Sequence, residues 1–337
     1  MQVKASLAVP MIAKFLKARL VPLLCGSPGI GKSSIAKQIA DEFNLKLIDI
    51  RLAQCDVTDL LGFPTIQGNK AGYVPMDTFP IEGDSIPKGY SGWLILFDEL
   101  TSASPAIQAS SYKIILDRMV GNHHLHKNVA MMAAGNLESD NAIVQPMSTA
   151  LQSRLVHMEL VVDSKEWIEW ATSNDIDHRI TSYIKFKPGN LYTFVPDHTD
   201  HTYGCPRTWE FSSRILKDTE IGSPELLPML AGTISEGVAR EFIGFCKVYQ
   251  DLPTVESIVN APKTIKVPEE ASILYALTGS IAHNASATNV DALMAYVVRM
   301  PVEFQVVCIK EMVRRTKPLM ANKSVQSWIA NTADVFF

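Results

Sequence analysis

Short apolar runs alternate with helical patterns along the first half of the chain. These runs cover residues 20–25, 45–50, 93–97 and 129–134. Such alternation is typical of parallel strands joined by crossover helices, because a strand that is covered on both faces is apolar throughout. The first half is therefore predicted to form an α/β domain around a parallel sheet.

After about residue 160 the apolar positions follow a helical period instead. Trp167, Ile168, Trp170 and Ala171 fall on one helical stripe. The segment 187–205 is rich in Pro, Gly, His, Thr and Asp, so we expect a loop there. Further helices are predicted over residues 226–249, 268–281, 290–298 and 302–313.

The segment GSPGIGKSS at residues 26–34 separates the first apolar run from a stretch without helix breakers. A glycine followed after four residues by Gly31, Lys32 and Ser33 has the spacing of a P-loop, whose backbone N–H groups cradle phosphates. The lysine reaches the β and γ oxygens, the hydroxyl ligates Mg²⁺, and the helix N-terminus adds positive partial charge. We therefore expect ATP with Mg²⁺ to be bound by Gly26, Ser27, Pro28, Gly29, Ile30, Gly31, Lys32, Ser33 and Ser34.

The run WLILFDEL at residues 93–100 is an apolar strand that ends in two adjacent carboxylates. The carboxyl ends of parallel strands face the ligand crevice, so Asp98 and Glu99 are expected beside the phosphates. In that position Asp98 would complete the Mg²⁺ shell with Ser33, while Glu99 would polarise the attacking water. Each motif alone could be an accidental turn, but the two together favour nucleotide hydrolysis.

Composition and charge narrow the class of protein. The chain has 337 residues, of which 47% are hydrophobic and 20% charged, as in soluble globular proteins of about two or three domains. A formal charge of −4 gives no electrostatic indication of a nucleic-acid partner. Five scattered cysteines favour reduced thiols and a cytoplasmic location. The longest uncharged run, residues 271–290, contains many polar side chains, so we expect a soluble helix and no membrane partner.

With three further segments, these motifs resemble the AAA+ ATPases, and among them the MoxR branch, over roughly residues 20–215. The further segments are AAGN at residues 133–136, PMSTALQSRL at 146–155 and CPRTWEFSSRIL at 205–216. The resemblance implies an AAA+ P-loop core with a parallel sheet, followed by a helical lid. The expected boundaries are 1–162 for the core, 163–250 for the lid and 251–337 for a C-terminal helical segment that matches no motif.

The resemblance also implies a role for three single residues. Asn136 would be the sensor 1 residue that orients the lytic water. Arg154, at the end of a helix over residues 146–153, would be an arginine finger directed at a neighbouring protomer. Arg207 would be the sensor 2 arginine that opens the lid helix. Taken alone, Asn136 could be a turn residue, Arg154 a cation at a helix C-terminus and Arg207 a solvated charge.

An insertion over residues 56–80 is similar to the helix-2 insert of that branch, with Gly72 and Tyr73 expected near its tip. An aromatic side chain there could contact a threaded substrate chain, or it could pack on its own strand. Residues 121–122, Gly-Asn, indicate a two-residue hairpin at the position of the branch's pre-sensor-1 hairpin. The histidines that follow are expected to be solvated, with a metal site as the alternative: His123, His124 and His126.

The resemblance implies an ATP-driven, hexameric ring that acts as a chaperone-like motor on a protein partner. Proteins of this branch are thought to work with a partner that carries a von Willebrand factor A domain. Two other functions remain open. A nucleic-acid motor or loader would bind DNA or RNA with steep salt dependence, and a nucleotide-gated scaffold would bind ATP without releasing phosphate.

Overall fold

The computed structural model of the chain describes residues 1–140, 144–247 and 252–332. Its contacts divide the chain into two compact units, the first made of Met1–Asp163 and Val195–His198, the second of Ser164–Phe194 and Thr199–Phe337. The boundary expected between residues 250 and 251 lies outside the described residues. Within the described ranges, no helix combines the length and the apolarity that crossing a membrane requires.

Ten strands lie in the described part of the first unit. In chain order they are β1 (Gln2–Val3), β2 (Val21–Cys25), β3 (Leu45–Arg51), β4 (Phe63–Gln67), β5 (Lys70–Val74), β6 (Gly92–Asp98), β7 (Met119–Val120), β8 (His123–His124), β9 (Val129–Gly135) and β10 (Leu155–Leu160). Six of them form one parallel sheet in the order β1-β10-β2-β9-β6-β3. The other four form two antiparallel hairpins, β4-β5 and β7-β8.

The parallel sheet confirms the predicted α/β class, and its strands β2, β3, β6 and β9 are the four apolar runs of the sequence. Strand β10 was not predicted, because the polar residues His157 and Glu159 interrupt its apolar pattern. Only the two-residue strand β1 separates β10 from the edge of the sheet, and a strand in that position tolerates polar side chains.

Helices cover both faces of this sheet, which is why its central strands are apolar throughout. Successive strand residues point to opposite faces, so Leu23 and Ile95 enter one core and their neighbours Leu24 and Leu94 enter another. The helices of the first unit are α1 (Ala5–Lys17), α2 (Lys32–Glu42), α3 (Val57–Leu61), α4 (Pro105–Asp117) and α5 (Thr149–Gln152). Residues of α4 line the first core, and residues of α1 and α2 line the second.

The second unit is helical in its described part. Its helices are α6 (Ser164–Ser173), α7 (His178–Phe186), α8 (Pro206–Asp218), α9 (Leu226–Ile234), α10 (Glu236–Lys247), α11 (Val255–Asn260), α12 (Ala271–Asn284), α13 (Val290–Val297), α14 (Val302–Arg315) and α15 (Lys323–Asn331). The helical segments that were expected C-terminal to the sheet are therefore present.

Two details of the helical predictions are wrong. The run 226–249 was predicted as one helix, but Ser235 adopts a positive φ of 77° between α9 and α10 and breaks it. Residues 248–249 of that run lie outside the described residues. In α6, Trp167 and Ala171 are buried as predicted, whereas Trp170 is 40% exposed. The buried stripe of α6 is thus narrower than the sequence suggested.

Candidate nucleotide-binding site

The phosphate-loop sequence connects β2 to α2 at the carboxyl end of the sheet. Gly31 is the N-cap of α2 and has a φ of 98°, a left-handed conformation that favours glycine. Gly26 allows no side chain, since a Cβ there would lie 2.6 Å from Ile30 Cδ1 and 2.9 Å from the Leu160 carbonyl oxygen. The loop therefore leaves β2 against β10 and enters an eleven-residue helix, whose N-terminal N–H groups suit an anion.

Lys32, the first residue of α2, directs its ammonium back across the loop. Its Nζ donates hydrogen bonds to the carbonyl oxygens of Gly26 at 2.6 Å and Ser27 at 3.0 Å. It also donates to Oδ1 of Asn136 at 3.1 Å. Lys32 and Asn136 are thus in direct contact, although they lie 104 positions apart in the sequence.

A side-chain hydrogen bond also joins Ser33 to Asp98. The Ser33 hydroxyl donates to Oδ2 of Asp98 at 2.8 Å. A hydroxyl and a carboxylate oxygen are hard ligands that suit Mg²⁺, so the pair fits the metal that the sequence predicts. Burial, reinforced by the negative charge of Asp98, raises the pKa of the Asp49 carboxyl on neighbouring β3. The site thus has a region of negative charge beside the positive charge of Lys32.

Glu99 follows Asp98 in a left-handed conformation, with a φ of 58°. A positive φ is uncommon for a residue with a side chain, and such strain is concentrated at functional sites. The Glu99 N–H donates to Oδ1 of Asp98 at 2.9 Å, which fixes the turn at the strand end. One oxygen of Asp98 thus holds the turn at Glu99, while the other accepts from Ser33.

Asn136 directly follows β9, the neighbour of β6 in the sheet. Its backbone is held by Thr101, whose hydroxyl accepts from the Asn136 N–H at 2.9 Å and donates to the Asn136 carbonyl at 3.2 Å. Its side chain contacts Lys32. The structure thus brings together Lys32, Ser33, Asp98 and Asn136, four of the residues selected from the sequence.

Comparison with known families gives a match over part of the chain. Residues 22–158 match the AAA family model. The description of that model is "ATPase family associated with various cellular activities". The matched segment contains the phosphate loop, both carboxylates, Asn136 and Arg154. No curated protein sequence matches the chain.

Solved structures resemble the chain at low sequence identity. A point mutant of RuvB from Thermotoga maritima is 16% identical, with 86% of each chain covered and a TM-score of 0.39. NtrX from Brucella abortus in complex with ATP is 11% identical, with 98% of this chain and 67% of that chain covered and a TM-score of 0.42. Hsp104 in a closed state with ATPγS and casein is 14% identical, with 72% of this chain and 46% of that chain covered and a TM-score of 0.36.

Arg154 lies in the AAA segment but does not join the group around Lys32. The helix predicted over residues 146–153 is only the short α5, and Arg154 lies two residues beyond its end. Its guanidinium carbon is 4.5 Å from the ring centroid of Tyr112 on α4, and its side chain donates to the Ala150 carbonyl at 2.6 Å. Its Nε is buried with no hydrogen-bond partner among the described residues. The side chain of Arg154 is therefore packed between the ring of Tyr112 and the end of α5.

Arg207 lies in the second unit. It is the second residue of α8, after Pro206, and it is exposed. Proline is favoured at the first position of a helix, so the sequence correctly indicated where α8 begins.

The insertion over residues 56–80 contains the hairpin β4-β5, with Gly68 and Asn69 between its strands. Tyr73 was expected near the tip, but it pairs with Pro64 toward the base of the hairpin. There it packs beside the turn of hairpin β7-β8, because a Cβ added to Gly121 would lie 3.0 Å from Tyr73 Cβ. The base of hairpin β4-β5 is therefore in contact with the turn of hairpin β7-β8.

Histidines 123 and 124 form β8. His123 Nε2 lies 3.1 Å from the Tyr73 carbonyl oxygen, so this histidine joins the two hairpins. In the described ranges, no group of three or more His, Cys, Asp or Glu side chains is placed to hold a metal ion.

Sequence reasoning missed two residues that position the selected ones. Thr101 is hydrogen-bonded to the backbone of Asn136, and the ring of Tyr112 packs against the guanidinium of Arg154. They lie 35 and 42 positions from their partners, so no local pattern connects them. The only sequence signal was the position of Thr101, two residues after Glu99.

Proposed function

We propose that this protein is an ATP-hydrolysing AAA+ motor of the MoxR type, which assembles into a hexameric ring and remodels a protein partner. The observation that carries the hydrolytic part is the contact of Lys32 with Asn136, next to the pair of Ser33 and Asp98. The match of residues 22–158 to an ATPase family supports it. We propose residues 1–162 as the core, 163–250 as the lid and 251–337 as an appended segment.

The chemistry follows from the charges at the strand ends. The loop N–H groups and Lys32 would bind the phosphates of ATP, because the N-terminus of α2 and the Lys32 ammonium both bring positive charge to the loop. Ser33 and Asp98 would hold Mg²⁺, which neutralises phosphate charge when bound. Glu99 would polarise the attacking water, and Asn136 would orient it.

Two arginines would complete the charge around the γ-phosphate. We propose that Arg154 acts on ATP held by a neighbouring protomer and that Arg207 acts from the lid. Phosphoryl transfer requires positioned positive charge more than covalent chemistry, which makes arginines suitable for both roles. The packing of Arg154 on Tyr112 would then define its position before it meets the neighbour.

For the partner we propose a protein, with a von Willebrand factor A domain as the expected class, encountered in the cytoplasm. The hairpin β4-β5 supports a protein contact, because one of its faces is apolar and exposed. Ile66 is 82% exposed, and it shares that face with Pro64, Ala71 and Tyr73. The net charge of −4 gives no support to nucleic acid.

Two variants test the hydrolytic proposal. Lys32→Ala should lose ATP binding, because it removes the charge that contacts the phosphates. Glu99→Gln should bind ATP and fail to hydrolyse it, because the amide no longer polarises water. Calorimetry with ATP and an assay for released phosphate separate the two steps. Equal ATP affinity of the wild type and Lys32→Ala would overturn the phosphate-loop assignment.

The partner is tested with the same variant. Glu99→Gln is expected to remain in its ATP-bound form, so a tagged preparation should retain a protein partner that wild type releases on hydrolysis. The control is Lys32→Ala, which should retain none. If hydrolysis is instead stimulated by DNA or RNA, and the binding falls steeply with salt, the chain is a nucleic-acid motor.

A further inference from the structure

We propose that Thr101 is a positioning residue for ATP hydrolysis, which ties the turn of Glu99 to Asn136 and to the segment that leads to Arg154. This inference rests on the proposed function. Thr101 itself is not required to touch ATP. It acts through the backbone of residues that are proposed to do so.

The first connection is a pair of hydrogen bonds in opposite directions. The Thr101 hydroxyl accepts from the Asn136 N–H at 2.9 Å and donates to the Asn136 carbonyl at 3.2 Å. One side-chain oxygen thus bonds both backbone groups of Asn136 and thereby fixes the orientation of its backbone. The Asn136 side chain that is fixed in this way contacts Lys32.

Packing also holds Thr101 in place. Thr101 is 7% exposed. A Cβ added to Gly135 would lie 2.6 Å from Thr101 Cγ2 and 2.7 Å from its Oγ1, so the strand end lies directly against the threonine. The methyl group of Thr101 therefore packs against the strand end, and its hydroxyl is hydrogen-bonded to Asn136. A residue of the same shape without the hydroxyl would keep the packing and lose only the hydrogen bonds.

The second connection runs to the segment before α5. The Thr101 carbonyl accepts from the Gln145 N–H at 2.7 Å. The buried side chain of Gln108 reinforces this contact, because its Nε2 donates to the Ala103 carbonyl at 3.2 Å and lies 3.5 Å from the Gln145 carbonyl oxygen. Residues 145–148 lead directly into α5, after which Arg154 follows.

The third connection is covalent and short. Glu99 is the N-cap of a 3-10 turn over Leu100–Ser102, and its carbonyl accepts from the Ser102 N–H at 2.9 Å. Thr101 is the central residue of this turn. A change in the backbone at Glu99 therefore reaches Asn136 and Gln145 through Thr101. This gives a physical route between the proposed water-polarising group, the proposed sensor and the proposed finger.

The test uses Thr101→Val and Thr101→Ser in the full chain. Valine has the shape of threonine but leaves the Asn136 N–H and carbonyl without their partner, whereas serine keeps the hydroxyl. We expect Thr101→Val to lower kcat on the order of 10- to 100-fold, since small misplacements of catalytic groups have effects of this size. The KM for ATP should remain close to wild type. Thr101→Ser should retain most of the wild-type kcat.

A double variant separates positioning from general damage. In an Asn136→Ala background, Thr101→Val should lower kcat little further, because the side chain that it positions is already gone. If the two effects multiply fully, or if Thr101→Ser loses as much as Thr101→Val, the hydroxyl does not act through Asn136 and the inference fails. If Thr101→Val does not fold because a methyl group replaces the hydroxyl, Thr101→Ala removes the same hydroxyl and leaves that space empty.

Failure of the inference and failure of the proposed function give different results. A wild type that binds no ATP, or releases no phosphate, overturns the proposed function and this inference with it. A wild type that hydrolyses ATP, with Thr101→Val hydrolysing it at the same rate, overturns the inference alone.

Discussion

Each unit of this protein contains a lysine whose ammonium is bound by oxygen atoms, but the two lysines connect different parts of the structure. In the first unit, Lys32 donates to two backbone carbonyls and to the amide oxygen of Asn136. In the second unit, Lys185 of α7 is bound by the carboxylate of Glu311 on α14. The second carboxylate oxygen accepts from Arg315 at 3.0 and 3.1 Å.

This difference indicates what each charge does. The contacts of Lys32 with Gly26, Ser27 and Asn136 keep its ammonium at the carboxyl end of the sheet, where the proposed phosphates would lie. The contact of Lys185 with the buried carboxylate of Glu311 instead joins two helices. Glu311 is only 3% exposed, and although burial by itself raises its pKa, the charges of Lys185 and Arg315 outweigh burial and hold that pKa below its usual range. The carboxylate of Glu311 is thus stabilised inside the unit by the positive charges of Lys185 and Arg315.

The largest effect is expected in the first unit, on the rate of ATP hydrolysis. Arg154→Ala should bind ATP nearly as wild type does and hydrolyse it about 10³- to 10⁵-fold more slowly, the usual contribution of an arginine finger. A mixture of Arg154→Ala with Lys32→Ala subunits should recover activity, because some interfaces then combine an intact loop with an intact arginine. Phosphate release and mass photometry of the mixture measure turnover and co-assembly.

If the mixture stays inactive although the subunits co-assemble, Arg154 acts within its own subunit. Its packing on Tyr112 and Ala150 would then be its whole role. Tyr112→Phe is the matched control, since it keeps the aromatic ring under the guanidinium and should leave turnover close to wild type.

The next largest effect is expected in the second unit. Glu311→Ala leaves the buried charges of Lys185 and Arg315 without their carboxylate and should lower the free energy of unfolding by about 3–5 kcal/mol. The control is Glu236→Ala, whose partner Arg240 is also four positions away but whose side chain is 66% exposed. An exposed pair of this kind should contribute less than about 1 kcal/mol.

Urea unfolding followed by tryptophan fluorescence measures both variants, because four of the five tryptophans lie in the second unit: Trp167, Trp170, Trp209 and Trp328. Equal losses from Glu311→Ala and Glu236→Ala would contradict the distinction between buried and exposed pairs. ATP binding by Glu311→Ala is not expected to require the lost carboxylate, so a folded preparation should retain it.

A smaller effect is expected from pH. His178 stacks on His283 with ring centroids 4.6 Å apart, and burial lowers the pKa of His178 from 6.5 to about 4. The neighbouring charges of His283, Arg179 and Arg315 also lower this pKa, while Asp177 opposes them. Below pH 6.5 the unfolded chain therefore binds a proton that the folded chain excludes. Stability should fall by at most about 1.4 kcal/mol per pH unit as the pH decreases from 6.5 toward 4.

The useful window is pH 6.5 to 4.5. The carboxylates with lowered pKa values lose stabilisation only below their ordinary values of 4.5 for Glu241 and Glu311 and 3.8 for Asp177 and Asp291. His178→Gln removes the titrating group and should flatten the dependence in this window. Urea midpoints at a series of pH values measure it. An unchanged slope in His178→Gln would assign the pH dependence to another group.

The sequence alone determined the features that depend on neighbouring residues. Strands β2, β3, β6 and β9 are apolar because the sheet is covered on both faces, and that pattern is local. The glycines of the phosphate loop, the proline that opens α8 and the carboxylates at the end of β6 are equally local, since each meets a backbone or strand-end requirement at its own position.

Tertiary structure decided the features that depend on distant residues. A periodic pattern encodes neither the left-handed backbone that breaks the helix at Ser235 nor the position of Tyr73 beside the turn of hairpin β7-β8. Thr101 is hydrogen-bonded to Asn136, 35 positions away, and Arg154 packs on Tyr112, 42 positions away. Thr101 and Asn136 meet because the neighbouring strands β6 and β9 end at one edge of the sheet, whereas Arg154 precedes β10 and meets a helix, α4. The order of the strands and the packing of helices set these contacts, not the residues at either position.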